Sequence, residues 1–387
     1  MEICNIFKEY QGSNLINNIS HNRFIYNRDS FLSYLQFISL YCLKNNTGNV
    51  KLAKKIIDTI KLSIADPFKG TITLTFGDVA ESHVGMQQIG HMAESGFSYN
   101  DLIKAKENFL SKGCEAFIVK LNDWLPTNVH TNDRENEELL KARSKEEFQA
   151  YLLVVRQGLK CLGTEPENLL SEMLMFEWDT KVWNKKQKKI QNKQARYNVN
   201  FSDQHQISDF SEGKGTTIAW NEVPILKNVK NNLINVFGKK AEILKCEGNL
   251  YYKKGGTGIG YHGDSERRRV IGVRLGGSMT IHYNWFYNNR PRGKNISLTL
   301  NNGDIYCMSE KTVGTDWMMA PKHRYTLRHA AGADEYTTKT LTLRITNQKT
   351  SSINNNITEG SIKFKPKKSQ INPNPIWNDC DEIQDFN

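Results

Sequence analysis

A series of short alternating segments between residues 246 and 346 restricts the folds that this chain can adopt. Residues 246–252, 270–276, 279–287, 296–300, 305–308 and 339–346 are rich in β-branched and aromatic side chains. Glycine and asparagine turns separate several of them. Short strands at this spacing are typical of a β-sandwich or jelly roll, so the sequence predicts such a fold for this stretch.

Four residue positions in this stretch have the side chains and the order of an iron site. His262 and Asp264 form the triplet His-Gly-Asp, and residues i and i+2 of a strand point to the same side, so both can reach one metal. Two imidazoles and one carboxylate can occupy one face of an octahedral Fe(II) and leave three positions open. The second histidine must come from a distant strand, with His329 and His323 as the candidates. Arg344 could then hold an organic acid by a two-pronged hydrogen bond.

The types of ligand favour iron over zinc. No thiolates are paired with these histidines, and no C-x-x-C motif follows the triplet as a zinc deaminase would require. The triplet alone is weakly specific in a chain with nine histidines, and a turn or surface histidine is the alternative interpretation of His262. The surrounding strands are what favour a metal site.

The ordered motifs resemble the AlkB branch of the Fe(II)/2-oxoglutarate oxygenases, and most closely AlkB-like proteins from large DNA viruses. They are Y-x9-H-G-D-S-E-R, then G-D-I-Y-C-M, R-H-A-A-G and L-T-L-R, and they span about residues 195–346. The resemblance implies a double-stranded β-helix fold that uses Fe(II), 2-oxoglutarate and O2. It also implies oxidative attack on methyl groups of nucleobases.

The same resemblance assigns roles to individual residues. His262, Asp264 and His329 match the iron ligands, and the separation of 67 residues between the two histidines suits the family. His329 is favoured over His323 because R-H-A-A-G fits the family's distal histidine and leaves a short connection to the arginine strand. Glu266 matches an acidic residue that faces the target base.

The match to the co-substrate residues is less complete. Arg344 matches an arginine that faces 2-oxoglutarate, and Tyr252 matches a tyrosine that hydrogen-bonds it. The family's earlier arginine on the last strand is Thr338 here, so either Arg344 acts alone or Lys339 assists as a point charge. The family's asparagine two residues before the tyrosine is replaced by Leu250 in this alignment.

The positive charge of the chain predicts a polyanionic partner. The net charge is +11 and the pI is about 9.1. Arg267, Arg268 and Arg269 follow the metal triplet directly, so we interpret them as phosphate contacts of a nucleic acid. A lysine-rich run at 185–196 and basic residues at 290–294 add charge, although a solvated surface is the alternative for the lysine run.

The length of 387 residues leaves room for a second domain beside a catalytic core. Residues 1–135 are interpreted as a smaller α/β N-terminal domain of unknown role, with strands at 71–76 and 115–121 and a helix at 99–112. Residues 122–145 are interpreted as a linker. The oxygenase domain is placed at 145–348, with buttressing helices at 146–162 and 167–176, and a disordered tail at 349–387. The predicted class is therefore α+β, with a C-terminal jelly-roll core.

The cysteines and the apolar segments bear on the compartment. Seven scattered cysteines suit a reducing compartment, such as the cytoplasm or nucleus. The resemblance to proteins of large DNA viruses implies that this compartment belongs to a virus-infected host. The first residues show no signal-peptide pattern, and the longest apolar run, 31–43, is too short and too polar to cross a bilayer. We therefore expect no membrane partner, while the oligomeric state is left open.

Three functional hypotheses remain. The first is a dioxygenase acting on methylated nucleobases, with Tyr197, Phe201, Phe210 and Trp220 as candidates to stack on a flipped base or simply to pack in the core. The second is the same chemistry on a protein or small molecule. The third is a non-catalytic nucleic-acid-binding protein on a degenerate oxygenase fold, favoured by the missing second arginine and opposed by the intact ligand set.

Overall fold

The computed structural model describes residues 68–128, 133–184, 187–318 and 324–338, and it is a mixed α+β structure in which strands predominate. Its strands are β1 (Thr71–Gly77), β2 (Val79–Glu81), β3 (Gln88–Gly90), β4 (Ala116–Lys120), β5 (Tyr151–Val155), β6 (Lys181–Asn184), β7 (Lys189–Asn192), β8 (Tyr197–Ser202), β9 (Thr217–Ala219), β10 (Lys245–Tyr251), β11 (Gly258–His262), β12 (Val270–Gly276), β13 (Met279–Tyr287), β14 (Arg290–Leu300), β15 (Ile305–Met308) and β16 (Tyr325–Gly332). Its α-helices are α1 (Tyr99–Leu110), α2 (Asp133–Ser144), α3 (Gly158–Cys161), α4 (Pro166–Met173), α5 (Pro224–Phe237) and α6 (Glu310–Val313). Short 3-10 helices span Leu121–Trp124, Glu146–Phe148, Phe210–Glu212, Trp220–Glu222 and Gly238–Ala241.

The larger sheet has β1 near its middle, in the order β4-β5-β15-β12-β1-β10-β8-β9. All neighbours are antiparallel except β8 and β9. β1 alternates threonine with large apolar residues, so Ile72, Leu74 and Phe76 point to one face and Thr73 and Thr75 to the other. The apolar face is completely buried in a core with helices, and the threonine face lines a cavity.

Helices α1, α4 and α5 cover the apolar face of this sheet. α1 begins with a capping box, in which Ser98 accepts a hydrogen bond from the backbone N–H of Asp101 and the Asp101 carboxylate accepts one from the backbone N–H of Ser98. Leu102, Ala105 and Phe109 then follow at helical spacing and join the core. This helical layer supports the sheet from the side opposite the cavity.

The smaller sheet has four antiparallel strands in the order β11-β16-β13-β14. β13 and β14 form a hairpin whose turn residues, Asn288 and Asn289, have φ of 48° and 59°, a conformation that asparagine tolerates in tight turns. Tyr283, Trp285 and Leu327 of this sheet are completely buried, together with residues of β5, β12 and β15 from the larger sheet. The two sheets therefore face each other across a second core.

Several predicted elements are confirmed, and two are wrong. The predicted strands at 71–76, 270–276, 279–287 and 305–308 and the helix at 99–112 are present as β1, β12, β13, β15 and α1. The predicted linker at 122–145 instead contains α2, and the predicted helix at 146–162 instead contains β5. Residues 152–155 are buried on both faces of the sheet, so the segment lacks the alternation that marks a half-buried strand.

The predicted boundary between two domains does not agree with the sheet order. β1 pairs with β10 and β12, and β4 pairs with β5, so strands from both sides of residues 135–145 share one sheet. The prediction of a separate N-terminal α/β domain is therefore wrong for residues 68–128. The predicted helices within 1–65, the strand at 339–346 and the tail at 349–387 lie outside the described residues.

One disulfide ties the helical layer together. Cys114, after α1, is bonded to Cys161 at the end of α3, 47 residues away, a pairing that the scattered cysteine spacing did not predict. Cys246 and Cys307 are free and buried. None of the described helices is long and apolar enough to span a membrane.

The position of β1 generates a test of the domain boundary. A protein trimmed to residues 145–348 lacks β1 and β4, so we expect it to show no cooperative thermal transition by circular dichroism. In the full chain, Phe76→Ala removes a fully buried ring and should lower the free energy of unfolding by about 3–5 kcal/mol. Leu140→Ala, at a side chain 63% exposed, is the matched control and should have little effect. A trimmed protein that melts like the full chain would contradict the shared sheet.

Candidate metal centre

The pairing of β11 with β16 brings two distant histidines together. His262 lies directly opposite His329 in the register, and the two ring centroids are 4.4 Å apart. Asp264 follows two residues after the end of β11, where its backbone N–H donates to the carbonyl of Val313. Gly263 lies so close to the neighbouring chain that an added Cβ would be 2.2 Å from the carbonyl oxygen of Gly314, which explains the glycine in His-Gly-Asp.

The three side chains converge as a ligand set. Asp264 Oδ1 is 3.4 Å from His262 Nε2 and 3.6 Å from His329 Nε2, and the potential ligand atoms all lie within 4.8 Å of one another. His262 Nδ1 is 2.7 Å from the carbonyl of Gly260, a contact that requires the proton on Nδ1 and leaves Nε2 free for a metal. Two imidazole nitrogens and one carboxylate oxygen fit Fe(II), and the structure thus brings together the three predicted ligands.

Electrostatics keep His329 and Asp264 in the protonation states that a metal requires. Burial, reinforced by repulsion from His262, lowers the pKa of His329 to about 3, so its imidazole is neutral at physiological pH. Burial by itself would raise the pKa of Asp264, but Arg267 and the two imidazoles hold it well below its usual range. Asp264 is therefore ionised, as a metal ligand must be.

Arg267 is an internal residue, which corrects its predicted role as a phosphate contact. It is 4% exposed, and its Nη2 is 2.7 Å from Glu247 Oε2 and 2.7 Å from Glu266 Oε1. Its Nε is also 3.7 Å from Asp264 Oδ2. A buried guanidinium shared by three carboxylates has no free face for a nucleic acid. The ion pairs compensate for the cost of burying these charges.

The next two arginines hold the backbone of a neighbouring loop. Arg268 donates through Nη1 to the carbonyl of Glu94, and Arg269 donates through Nε to the carbonyl of Ser95 at 2.8 Å. Both side chains are partly exposed. Their backbone N–H groups also donate to the carboxylate of Asp78. In this structure, Arg268 and Arg269 therefore stabilise the turn between β12 and the metal triplet, and their predicted contact with phosphate stays a prediction.

Of the two adjacent tyrosines, Tyr251 lines the cavity and Tyr252 does not, which corrects the prediction for Tyr252. Tyr252 is 38% exposed, stacks on Tyr197 with ring centroids 4.2 Å apart, and donates its hydroxyl to the carbonyl of Gln194. Tyr251 is buried and lines the cavity, as does Asn249 two residues before it. Successive strand residues point to opposite faces of the sheet. Matching the family's tyrosine to Tyr251 instead of Tyr252, a shift of one residue, therefore places its side chain in the cavity. With this match, the family's asparagine two residues before the tyrosine is also present, as Asn249.

The cavity beside the metal ligands is lined, among the described residues, by three glutamates and three arginines. It has a volume of about 170 Å³ and includes Glu81, Glu247 and Glu266. Burial, with repulsion from Glu266 and Glu247, raises the pKa of Glu81 to about 7. Glu266 lines the cavity, and its Oε1 accepts two hydrogen bonds from Arg267. Its predicted role of facing a target base stays a prediction. His83 also lines the cavity, whereas His91 is exposed, and neither belongs to the three-residue ligand group.

Other predicted residues lie away from the cavity or outside the described ranges. Phe201 and Trp220 are buried in the core beneath the helices, and Phe210 lies in a short 3-10 helix and does not line the cavity. Arg344 and His323 lie outside the described residues. Their predicted roles therefore stay predictions.

Sequence reasoning missed cavity residues that alternation could have identified. In β10 the polar side chains of Glu247, Asn249 and Tyr251 alternate with apolar or small residues, and they all line the cavity. In β1, Thr73 and Thr75 alternate with apolar residues and also line the cavity. Arg274 in β12 also lines the cavity, and a single arginine in an otherwise apolar strand was its signal.

The convergence of three ligands predicts how metal binding responds to substitution. His329→Ala should weaken Mn(II) or Fe(II) binding by more than about 100-fold, since loss of a residue that merely orients a ligand costs about 10- to 100-fold. His323→Ala is the control and should bind normally. Calorimetric titration of both variants with Mn(II) measures the difference. Normal binding by His329→Ala with loss in His323→Ala would overturn the assignment of the distal ligand.

Comparison with known proteins relates the chain to a viral protein. No protein-family model matches it. A protein of Acanthamoeba polyphaga mimivirus, described as "Uncharacterized protein R156", is 41% identical over 268 residues, which make up 69% of this chain and 98% of the mimivirus protein. Identity at this level extends over nearly the full length of that relative. The chain therefore belongs to the same family as this mimivirus protein.

Proposed function

We propose that this protein is an Fe(II)- and 2-oxoglutarate-dependent dioxygenase. The observation that carries the proposal is the convergence of His262, Asp264 and His329, whose ligand atoms lie within 4.8 Å of one another in the wall of a cavity. Two neutral imidazoles and a carboxylate are the donor set of iron sites that use O2 and a 2-oxo acid. Three protein ligands leave three positions of an octahedral ion for these two molecules.

Each part of the site has a task in this reaction. Bound iron, with 2-oxoglutarate and O2, would supply the conversion of a C–H bond into C–OH, with succinate and CO2 as the other products. His262 would bind through Nε2 because its Nδ1 is committed to the carbonyl of Gly260. Arg267 keeps Asp264 ionised, and the cavity between the sheets holds the reacting groups away from bulk water.

The arrangement of strands supports the jelly-roll form of the fold. A four-stranded antiparallel sheet faces a larger one, and the ligands come from β11, its following turn and β16. The larger sheet contributes β10, β12 and β15 to the opposite wall of the cavity. We propose that these strands form a double-stranded β-helix in which β1 lies between β10 and β12.

We propose methylated nucleobases as the substrate. N-methylated adenine and cytosine rings can carry positive charge, which suits a cavity lined by Glu81, Glu247 and Glu266. The exposed Lys253 and Lys254 follow Tyr252, whose hydroxyl donates to the carbonyl of Gln194. Gln194 lies two residues before Arg196, which lines the cavity, so the two lysines lie near the cavity. These lysines, with those exposed on the β6–β7 hairpin, could contact phosphates. A hydroxylated N-methyl group would then leave as formaldehyde.

A second candidate is the same oxidation on a cationic protein side chain or small molecule. The observation that favours it is the internal pairing of Arg267 with Glu247 and Glu266, which removes one predicted phosphate contact near the iron ligands. The glutamates of the cavity would attract a methylated ammonium group as readily as a charged base.

The proposed function is tested by a turnover assay on the full chain. The protein is incubated in air with Fe(II), 2-oxoglutarate and either N-methylated DNA and RNA oligonucleotides or methyl-lysine peptides. Mass spectrometry of the polymer and measurement of succinate then report the reaction. We expect demethylated oligonucleotide and stoichiometric succinate, and no product with Asp264→Ala.

The possible outcomes separate the hypotheses. Demethylated peptide without demethylated oligonucleotide would replace the nucleobase with a protein substrate. A metal-loaded protein that forms no succinate with any substrate, yet binds the oligonucleotides, would contradict the dioxygenase and support the non-catalytic alternative.

A further inference from the structure

One buried arginine in the cavity has no anionic partner within the described ranges. Arg274, from β12, is 1% exposed and lines the same cavity as the metal-ligand residues. Its Nη1 donates to the hydroxyl of Thr73, and its Nε has no hydrogen-bond partner among the described residues. Asp304, whose charge also acts on Arg274, is instead paired with Arg156 at 2.6 Å.

The other two arginines of the cavity differ from Arg274 in this respect. Arg267 is surrounded by three carboxylates. Arg196 donates through Nε to Asn249 Oδ1 at 2.7 Å and is partly exposed. Arg274 is more deeply buried than Arg196, yet its described side-chain contact is a neutral hydroxyl.

A buried cation without a counter-ion is a strong sign that an anion belongs beside it. Burial lowers the pKa of Arg274, yet a guanidinium remains protonated in proteins. Leaving such a charge unpaired in a protein interior is costly, and an anion that enters the cavity offsets this cost. The planar fork of an arginine fits a carboxylate by two parallel hydrogen bonds.

Two tyrosines line the same cavity as Arg274 and the metal ligands. Tyr251 and Tyr306 both line the cavity, and the charges of Arg274 and Asp264 act on each of them. Both phenol groups can donate hydrogen bonds to a short diacid bound in this cavity.

We propose that Arg274, rather than Arg344, binds the distal carboxylate of 2-oxoglutarate. The sheet order supports this assignment, because the strand between β10 and β12 is β1, whose cavity-facing side chains Thr73 and Thr75 carry no charge. Arg274 pairs directly with Thr73 in the register, so the cation comes from the adjacent strand. This inference rests on the proposed function, since it assigns one part of that co-substrate's site.

The test compares two acids that differ only at the distal end. Full-length protein loaded with Mn(II) is titrated calorimetrically with 2-oxoglutarate and with 2-oxopentanoate, which has the same chain length but no distal carboxylate. We expect the wild type to prefer 2-oxoglutarate by about 10- to 100-fold, as a charge-assisted contact implies. Arg274→Met should abolish this preference by weakening the binding of 2-oxoglutarate alone. Arg344→Met, which removes the competing arginine, should retain the preference.

A thermal melt of each variant shows whether weaker binding reflects a loss of folding stability. Without ligand, Arg274→Met should melt at or above the temperature of the wild type, because it replaces an unpaired buried cation with an apolar side chain. Thr73→Val, which removes the hydroxyl contact of Arg274, should reduce the preference for 2-oxoglutarate by a smaller factor and provides a second, milder variant.

The outcomes are distinct. If Arg344→Met loses the preference, or if Arg274→Met and Thr73→Val both keep it, the assignment of Arg274 is overturned while the dioxygenase proposal stands. If metal-loaded wild type binds neither acid, the co-substrate of the proposed function is wrong and the inference fails with it.

Discussion

The pairing of β11 with β16 is the contact on which the metal centre depends. It sets His262 opposite His329, although 67 residues separate them along the chain. Asp264 can join them because Gly263 lets the turn approach Gly314 more closely than any side chain would allow. The site is therefore a consequence of sheet register and one tight approach, and a shift of either strand by one residue would turn a ligand away from the metal.

A group of buried charges supports this arrangement from the other side of the triplet. Arg267 joins Glu247, Glu266 and Asp264, and thereby connects β10 of the larger sheet to the turn that follows β11. Such a group stabilises only when every charge has a partner, because an isolated buried ion is costly. The same contacts keep Asp264 ionised, so the packing of the two sheets and the charge of the ligand set are linked.

Local patterns in the sequence predicted much of this structure, and non-local pairing accounts for the rest. Alternation and turns located β1, β12 and β13, and the His-Gly-Asp spacing identified ligands that do converge. Alternation could not say that β1 would lie between β10 and β12, because strand order depends on contacts about 200 residues apart in sequence, such as Thr73 with Arg274. The choice of Tyr252 over Tyr251 failed by one residue, which in a strand is the difference between the two faces.

X-ray absorption spectroscopy of the Fe(II)-loaded full-length protein is the decisive test of this metal centre, because it reports the atoms bound to the metal. We predict six-coordinate Fe(II) with two imidazole nitrogens and otherwise oxygen donors, and a change in this coordination shell when 2-oxoglutarate is added. A four-coordinate ion, a sulfur donor such as a cysteine thiolate, or a spectrum identical to that of His262→Ala would contradict it.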